Sequence, residues 1–311
     1  MRFRLLSLLA MPLLAVLGAC SGDGSPAPAT GTPTGAPAGA LAVIAGNYPL
    51  TEFAQKVGGS LVSVTNLASP GIEPHDVELT PQQIEEVGAA DLIVLIPGYQ
   101  PALDDAVDAA GADDRSMDAT AGIQRMTGGG DGEEQDALDP HTWLDPTLAA
   151  TMVNNIAARL AEIDASNAAT YRANAATYAA TLRALDGEYQ AGLADCDRRD
   201  FITTHAAFGY LAKKYNLVQE PIAGLTPESE PSPQQIQDVI EFAKQHDVKV
   251  IFFEELVSPD LAETIANEVG AKTLVLSPME ARTEEQQSAG KDIVSMARDN
   301  LVHLREALGC R

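Results

Sequence analysis

The chain has 311 residues, 45% of them apolar, which is enough to bury one large or two medium cores and excludes a disordered chain. Forty-four acidic against 20 basic residues give a net charge of −24. That balance lacks the basic footprint that nucleic-acid binding needs; it suits the attraction of cations, although acidity is also common solubility chemistry.

The chain opens with MRFR, a positive stretch, and then LLSLLAMPLLAVLGA, an apolar run too short and wrongly flanked for a stable membrane span. The run ends in Leu17-Gly18-Ala19-Cys20, which resembles the lipobox of bacterial lipoproteins. Residues 1–19 are therefore expected to be a cleaved signal peptide, with lipid on Cys20. The competing reading is an ordinary signal peptide that happens to contain a cysteine. Residues 20–40 are a Ser/Gly/Pro/Ala/Thr tether without apolar periodicity. A tether between a lipid and a folded body puts that body outside the cytoplasmic membrane, lipid-anchored to it. Of the three cysteines, Cys196 and Cys310 remain. In an oxidising compartment they are expected to pair; two free buried thiols are the alternative.

The folded part starts near Leu41. LAVIAG reads as a buried strand, YPLTEFAQKVGG as a helix with a Gly-Gly stop, and SLVSVTNL as a β-branched strand. TPQQIEEVGAA is a helix with Thr80 as N-cap and Pro81 at its first position. DLIVLIP is a strand, PALDDAVDAAG a helix, and RSMDATAG a last short strand. After Asp145-Pro146 comes a run of Ala, Leu, Arg and Glu without Gly or Pro until Gly187. It predicts one long helix or two abutting ones, with a weak break near Asp164-Ala165-Ser166. Alternation then resumes: strand FITT, helix AAFGYLAKKY, loop GLTPESEPSP, helix PQQIQDVIEFAKQH, strand VKVIFFEE, helix SPDLAETIANEVG, strand KTLVL and a final helix over EEQQSAGKDIVSMARDNLVHLREAL. The expected fold class is α/β. Lobes with mostly parallel sheets span 41–145 and 196–311, joined by a long helix over 146–195.

Five histidines carry the chemical signal. His246 sits at a helix C-terminus, and His303 reads as part of a solvated helix face. His75 lies in SPGIEPHDVELTP between a strand and a helix, His141 in DPHTWLDP before the long helix, and His205 in FITTHAAFGY where a strand becomes a helix. In open α/β sheets ligands bind at the carboxyl ends of strands. One such histidine alone is an ordinary loop residue. Three sharing this context, in a chain so poor in histidine, point to zinc or another borderline metal.

PHDVELTP, DPHTWLDP, THAAFGYLAKKY, the GLTPESEPSP loop and the FFEE strand resemble the zinc/manganese-specific solute-binding lipoproteins of bacterial ABC importers, from about Leu41 to the C-terminus. The resemblance implies two pseudo-symmetric lobes on a rigid backbone helix, with the metal between them. It also implies delivery to a membrane permease, with no enzymatic activity. It places the first three ligands on His75, His141 and His205, and three histidines favour zinc over manganese or iron. The expected state is a monomer. The Asp-Pro steps fix the approach of His141, and Asp145 or a nearby carbonyl is expected to orient its ring. The stretch from Thr127 to Gln135 stands where zinc-specific relatives carry a histidine-rich loop; here it is acidic and has no histidine, so a plain solvated loop is favoured over a metal collector.

The sequence departs from the family at the fourth ligand. An aspartate often follows the strand aligned with KTLVL; this chain has Ser277 there. Glu280 is the expected replacement, the alternative being a water held by Ser277 or by a carboxylate such as Glu254. Two other classes stay open. Three histidines and an open corner also describe a zinc hydrolase, although no HExxH spacing is present. An adhesin lipoprotein with structural zinc is the other.

Overall fold

In a computed structural model, which describes residues 39–128 and 137–311, the chain forms two four-stranded sheets, all strands parallel, in the orders β2-β1-β3-β4 and β6-β5-β7-β8. The signal peptide, the tether, Cys20 and most of the acidic loop lie outside the described residues. Thr127 and Leu138 pair across the base of that loop.

The first sheet is built from β1 (Leu41–Ala45), β2 (Val62–Asn66), β3 (Leu92–Leu95) and β4 (Ser116–Asp118). All four residues of β3, LIVL, are buried, as a strand covered on both faces must be. Helices α1 (Tyr48–Gly58), α2 (Pro81–Ala89) and α3 (Pro101–Ala110) make the crossovers. Thr80 and Gln83 close a capping box on α2, satisfying amide groups that the first helical turn leaves unpaired. The second sheet repeats the order with β5 (Asp200–Thr203), β6 (Val218–Pro221), β7 (Val250–Phe253) and β8 (Lys272–Val275). Between these strands come α6 (Gly209–Tyr215), α7 (Pro233–Gln245) and α8 (Asp260–Val269). The expected α/β class with two like lobes is borne out.

The helical run after Asp145 folds back on itself. Helix α4 (Pro146–Ile163) ends at Asp164, and α5 (Ala168–Gly192) starts after a single 3₁₀ turn and packs along α4. Asp164 accepts hydrogen bonds from Ser166 Oγ (2.6 Å), Asn167 Nδ2 (2.7 Å) and Tyr171 Oη (2.8 Å), and these bonds hold its carboxyl at about 2. The weak break read in the sequence is thus a hairpin turn. Only α5, about 37 Å long at 1.5 Å per residue, serves as the backbone helix. Its Asn174 and Tyr178 bond to Val57 O and Glu52 of α1. Its Tyr189 bonds to Ala297 O (2.6 Å) of α10 (Ile293–Leu308) in the second lobe.

Glu52 is a buried tie across the lobes. Its carboxylate accepts from Tyr48 Oη (2.6 Å), Tyr178 Oη (2.6 Å) and the backbone N–H of Ile293 (2.9 Å). A buried carboxylate is tolerated when its lone pairs are filled in this way. Cys196 and Cys310 form the expected disulfide, joining the exit of α5 to the residue after α10.

Two elements differ from expectation. The final helix is two: α9 (Glu284–Ser288) and α10, separated by Gly290 at φ 67°, with Asp292 capping α10 afresh. Strand β6 was not expected at all, because VQEP is polar, half-exposed and ends in proline. His303 is not on a solvated face: its Nδ1 lies 2.7 Å from the carbonyl of Val275 in β8.

Candidate metal centre

Each lobe sends two loops from the carboxyl ends of its strands into one buried point. His75 follows β2, His141 follows β4, His205 follows β5 and Glu280 follows β8. Ligand atoms of these four residues all lie within 4.8 Å of one another.

The loops are stiffened locally. Pro140 follows Asp139, whose Oδ1 accepts both the backbone N–H of His141 (2.9 Å) and its ring Nδ1 (2.8 Å). Asp145, expected to orient the ring, instead caps α4 by accepting from Thr147 N (2.7 Å) and Thr147 Oγ1 (2.7 Å). The orienting group is thus the aspartate of the first Asp-Pro step. Residue spacing left the choice open, because both aspartates are near His141 in sequence. His205 Nδ1 lies 2.6 Å from Glu254 Oε1, which Thr204 Oγ1 also contacts. Glu254, offered above as a holder of water, stands behind His205 instead.

The two ring contacts settle the tautomers. An ionised carboxylate only accepts, so Nδ1 of each ring carries the proton and Nε2 carries a lone pair. Those two Nε2 atoms are 3.4 Å apart. Glu280 Oε1 lies 2.8 Å from His141 Nε2, and 3.6 Å from Nε2 of both His75 and His205. Among the described residues, neither oxygen of Glu280 nor Nε2 of His75 has a hydrogen-bond partner. Four lone-pair donors aimed at one dry point repel unless a cation sits among them. Ligands about 2.1 Å from a tetrahedral ion have edges of about 3.4 Å, which matches the observed spacing. The donor set therefore fits a small tetrahedral cation.

The charges agree. Burial pushes the imidazole of His141 down, but Asp139 and Glu280 outweigh it, and the group stands above its ordinary value. Burial also acts on His205, and Glu254 with Glu280 lifts that group well above the ordinary value. Burial lowers His75, which Glu280 only partly offsets. Burial pushes Glu280 up, yet the three histidines hold it well below the usual carboxylate range.

A family description of a periplasmic zinc-uptake component, ZnuA, matches residues 43–307. The chain belongs to the ZnuA family. It is 37% identical over 279 residues to the high-affinity zinc uptake system protein ZnuA of Bacillus subtilis strain 168, covering 86% of this chain and 88% of that one. It is 35% identical over 281 residues to the zinc-binding lipoprotein AdcA of Streptococcus pneumoniae serotype 4; that match covers 86% of this chain and only 56% of AdcA. Its fold superposes on the Zn(II)-bound ZnuA-like domain of S. pneumoniae AdcA with a TM-score of 0.74, at 33% identity, covering 87% of this chain and 99% of that domain.

Within this ZnuA-type frame, Ser277 is a structural residue. Its backbone N–H and C=O bond to the buried Asn300 (2.9 and 2.6 Å), and its Oγ accepts from Met279 N (3.3 Å). Glu73 is a neighbour that the sequence did not reveal. It accepts the backbone N–H of His75 (3.1 Å), and burial together with Glu280 pushes its carboxyl up to about 9, so it stays neutral beside the charged cluster. His246 lies away from the site, 3.2 Å from Asp200 and stacked on Phe242.

Proposed function

We propose that this chain is the zinc-capturing component of an ABC-type importer. It holds Zn²⁺ between its lobes through His75, His141, His205 and Glu280 and passes it to a membrane permease. Residues 1–19 are removed as a signal peptide, Cys20 carries the lipid, and residues 20–40 tether the lobes to the outer face of the cytoplasmic membrane. Lobes over 41–145 and 196–311 flank the helical segment, and the protein acts as a monomer.

The observation that carries this reading is the closed donor set. Three imidazole nitrogens and one carboxylate oxygen, at tetrahedral spacing, suit zinc. Manganese prefers more oxygen ligands in a larger shell. Glu280 also fills the corner that a hydrolytic zinc site keeps open for water, which favours a carrier over an enzyme. Competition against a chromophoric chelator tests the assignment. The His205→Ala protein should lose zinc affinity by at least about a hundredfold, while His246→Ala should match wild type. Wild-type affinity in His205→Ala would overturn the site.

A further inference from the structure

Glu280 is held from the opposite lobe. Three donors of the first lobe reach alternate carbonyls of the segment from Pro278 to Arg282. Trp143 Nε1 donates to Pro278 O (2.8 Å), Tyr48 N to Glu280 O (3.0 Å) and Gly71 N to Arg282 O (3.0 Å). Two of these donors neighbour metal-site histidines in sequence: Trp143 stands just after His141, and Gly71 just before His75.

Between the first two of those carbonyls sits Met279, at φ 60°. Side chains rarely adopt this left-handed conformation, and a buried methionine has no polar group to support it locally. Within its own segment the one bond recorded for its amide is the long contact to Ser277 Oγ, 3.3 Å. A strained conformation persists when its surroundings over-determine it. Here much of that determination comes across the cleft. The indole N–H has a single proton to give, the ring is buried, and the proton goes to Pro278 O.

We propose that Trp143 is a positioning residue for Glu280: its indole N–H holds the turn at Met279 that aims the fourth donor, so that docking of the lobes and delivery of the carboxylate are one event. This rests on the reading of Glu280 as a zinc ligand. Trp143→Phe keeps an aromatic ring and removes the N–H, leaving a buried carbonyl without its donor.

The test measures zinc affinity by chelator competition for wild type, Trp143→Phe, Glu280→Gln and the double variant, and records the visible spectrum of each protein loaded with Co²⁺. Trp143→Phe should bind zinc about tenfold more weakly and shift the Co²⁺ bands towards those of Glu280→Gln. The double variant should be no weaker than Glu280→Gln alone, because the positioned group is already gone. Met279→Val, which disfavours the left-handed turn and leaves the indole intact, should show the same pattern, so the result does not hang on the folding of one variant. Losses that multiply in the double variant, or a wild-type Co²⁺ spectrum in Trp143→Phe, would overturn the proposal. His141→Ala in the same titration separates the two levels. If it binds as wild type, the zinc site itself is wrong; if it fails to bind while Trp143→Phe is silent, only the positioning role falls.

Discussion

Asp139 grips His141 twice through one oxygen, Oδ1, taking both the backbone N–H and the ring Nδ1. The double contact fixes where the ring stands and which nitrogen faces the site. Asp139→Asn keeps the size and can still accept one bond, but it loses the charge that steadies the ring while it donates electrons to a cation. Zinc affinity should fall by about 10–100-fold, measured by isothermal titration against a competing chelator. Glu254→Gln should do the same through His205. Asp145→Asn should leave affinity near wild type and act on the start of α4 instead.

The fourth corner separates two substitutions. Glu280→Gln removes the charge from the only carboxylate of the four-residue cluster and should weaken zinc binding by at least about tenfold. Ser277→Ala loses a long contact to Met279 N and should change affinity by less than about threefold. Equal effects from the two would mean that the turn, not the carboxylate, sets affinity.

Acid should oppose zinc. In the metal-free protein His141 and His205 stand above the ordinary imidazole value. Their protonation contributes stability that is fully present below about pH 6.5 and is lost as pH rises through the raised values. Glu280 is depressed; its contribution is present above the ordinary carboxyl value of about 4.3 and is lost as pH falls through the depressed one. The metal-free protein should therefore melt highest in mild acid. Zinc must displace those protons, so the rise in Tm that it produces should grow from about pH 5.5 to about pH 8. A zinc-induced shift independent of pH would contradict this.

The disulfide can be weighed apart from the site. It closes a separation of 114 residues, for which the chain-entropy model gives about 4–5 kcal/mol. Denaturant melts of the Cys196→Ala/Cys310→Ala protein should show a loss of that order. A loss below about 1 kcal/mol would mean that the reduced chain is already constrained.

Much of this architecture can be read from residues that act locally. The run LIVL is buried on both faces, and the Thr80 and Ser232 capping boxes sit where their sequences place them. His75, His141 and His205 stood out because their loops all follow strands. What stayed hidden depends on distant partners. Strand β6 exists because β5 offers it a parallel edge, register Asp200↔Val218 onward, although its own residues are poor strand formers. The hairpin at Asp164 depends on three side chains converging on one carboxylate. The role of Glu254 required β7 to lie beside β5, which no local pattern encodes.

The bridge between Cys196 and Cys310 encloses both second-lobe donors, His205 and Glu280, within one covalent ring. A newly made chain in a reducing compartment has no such ring, and the partners of His75 and His141 are then carried on the less constrained half of the molecule. Completion of the cage and oxidation of the thiols fall on the same stretch of chain. The protein thus matures as a zinc trap where thiols are oxidised, and its nascent form makes a weaker claim on the zinc pool of the cell that synthesises it.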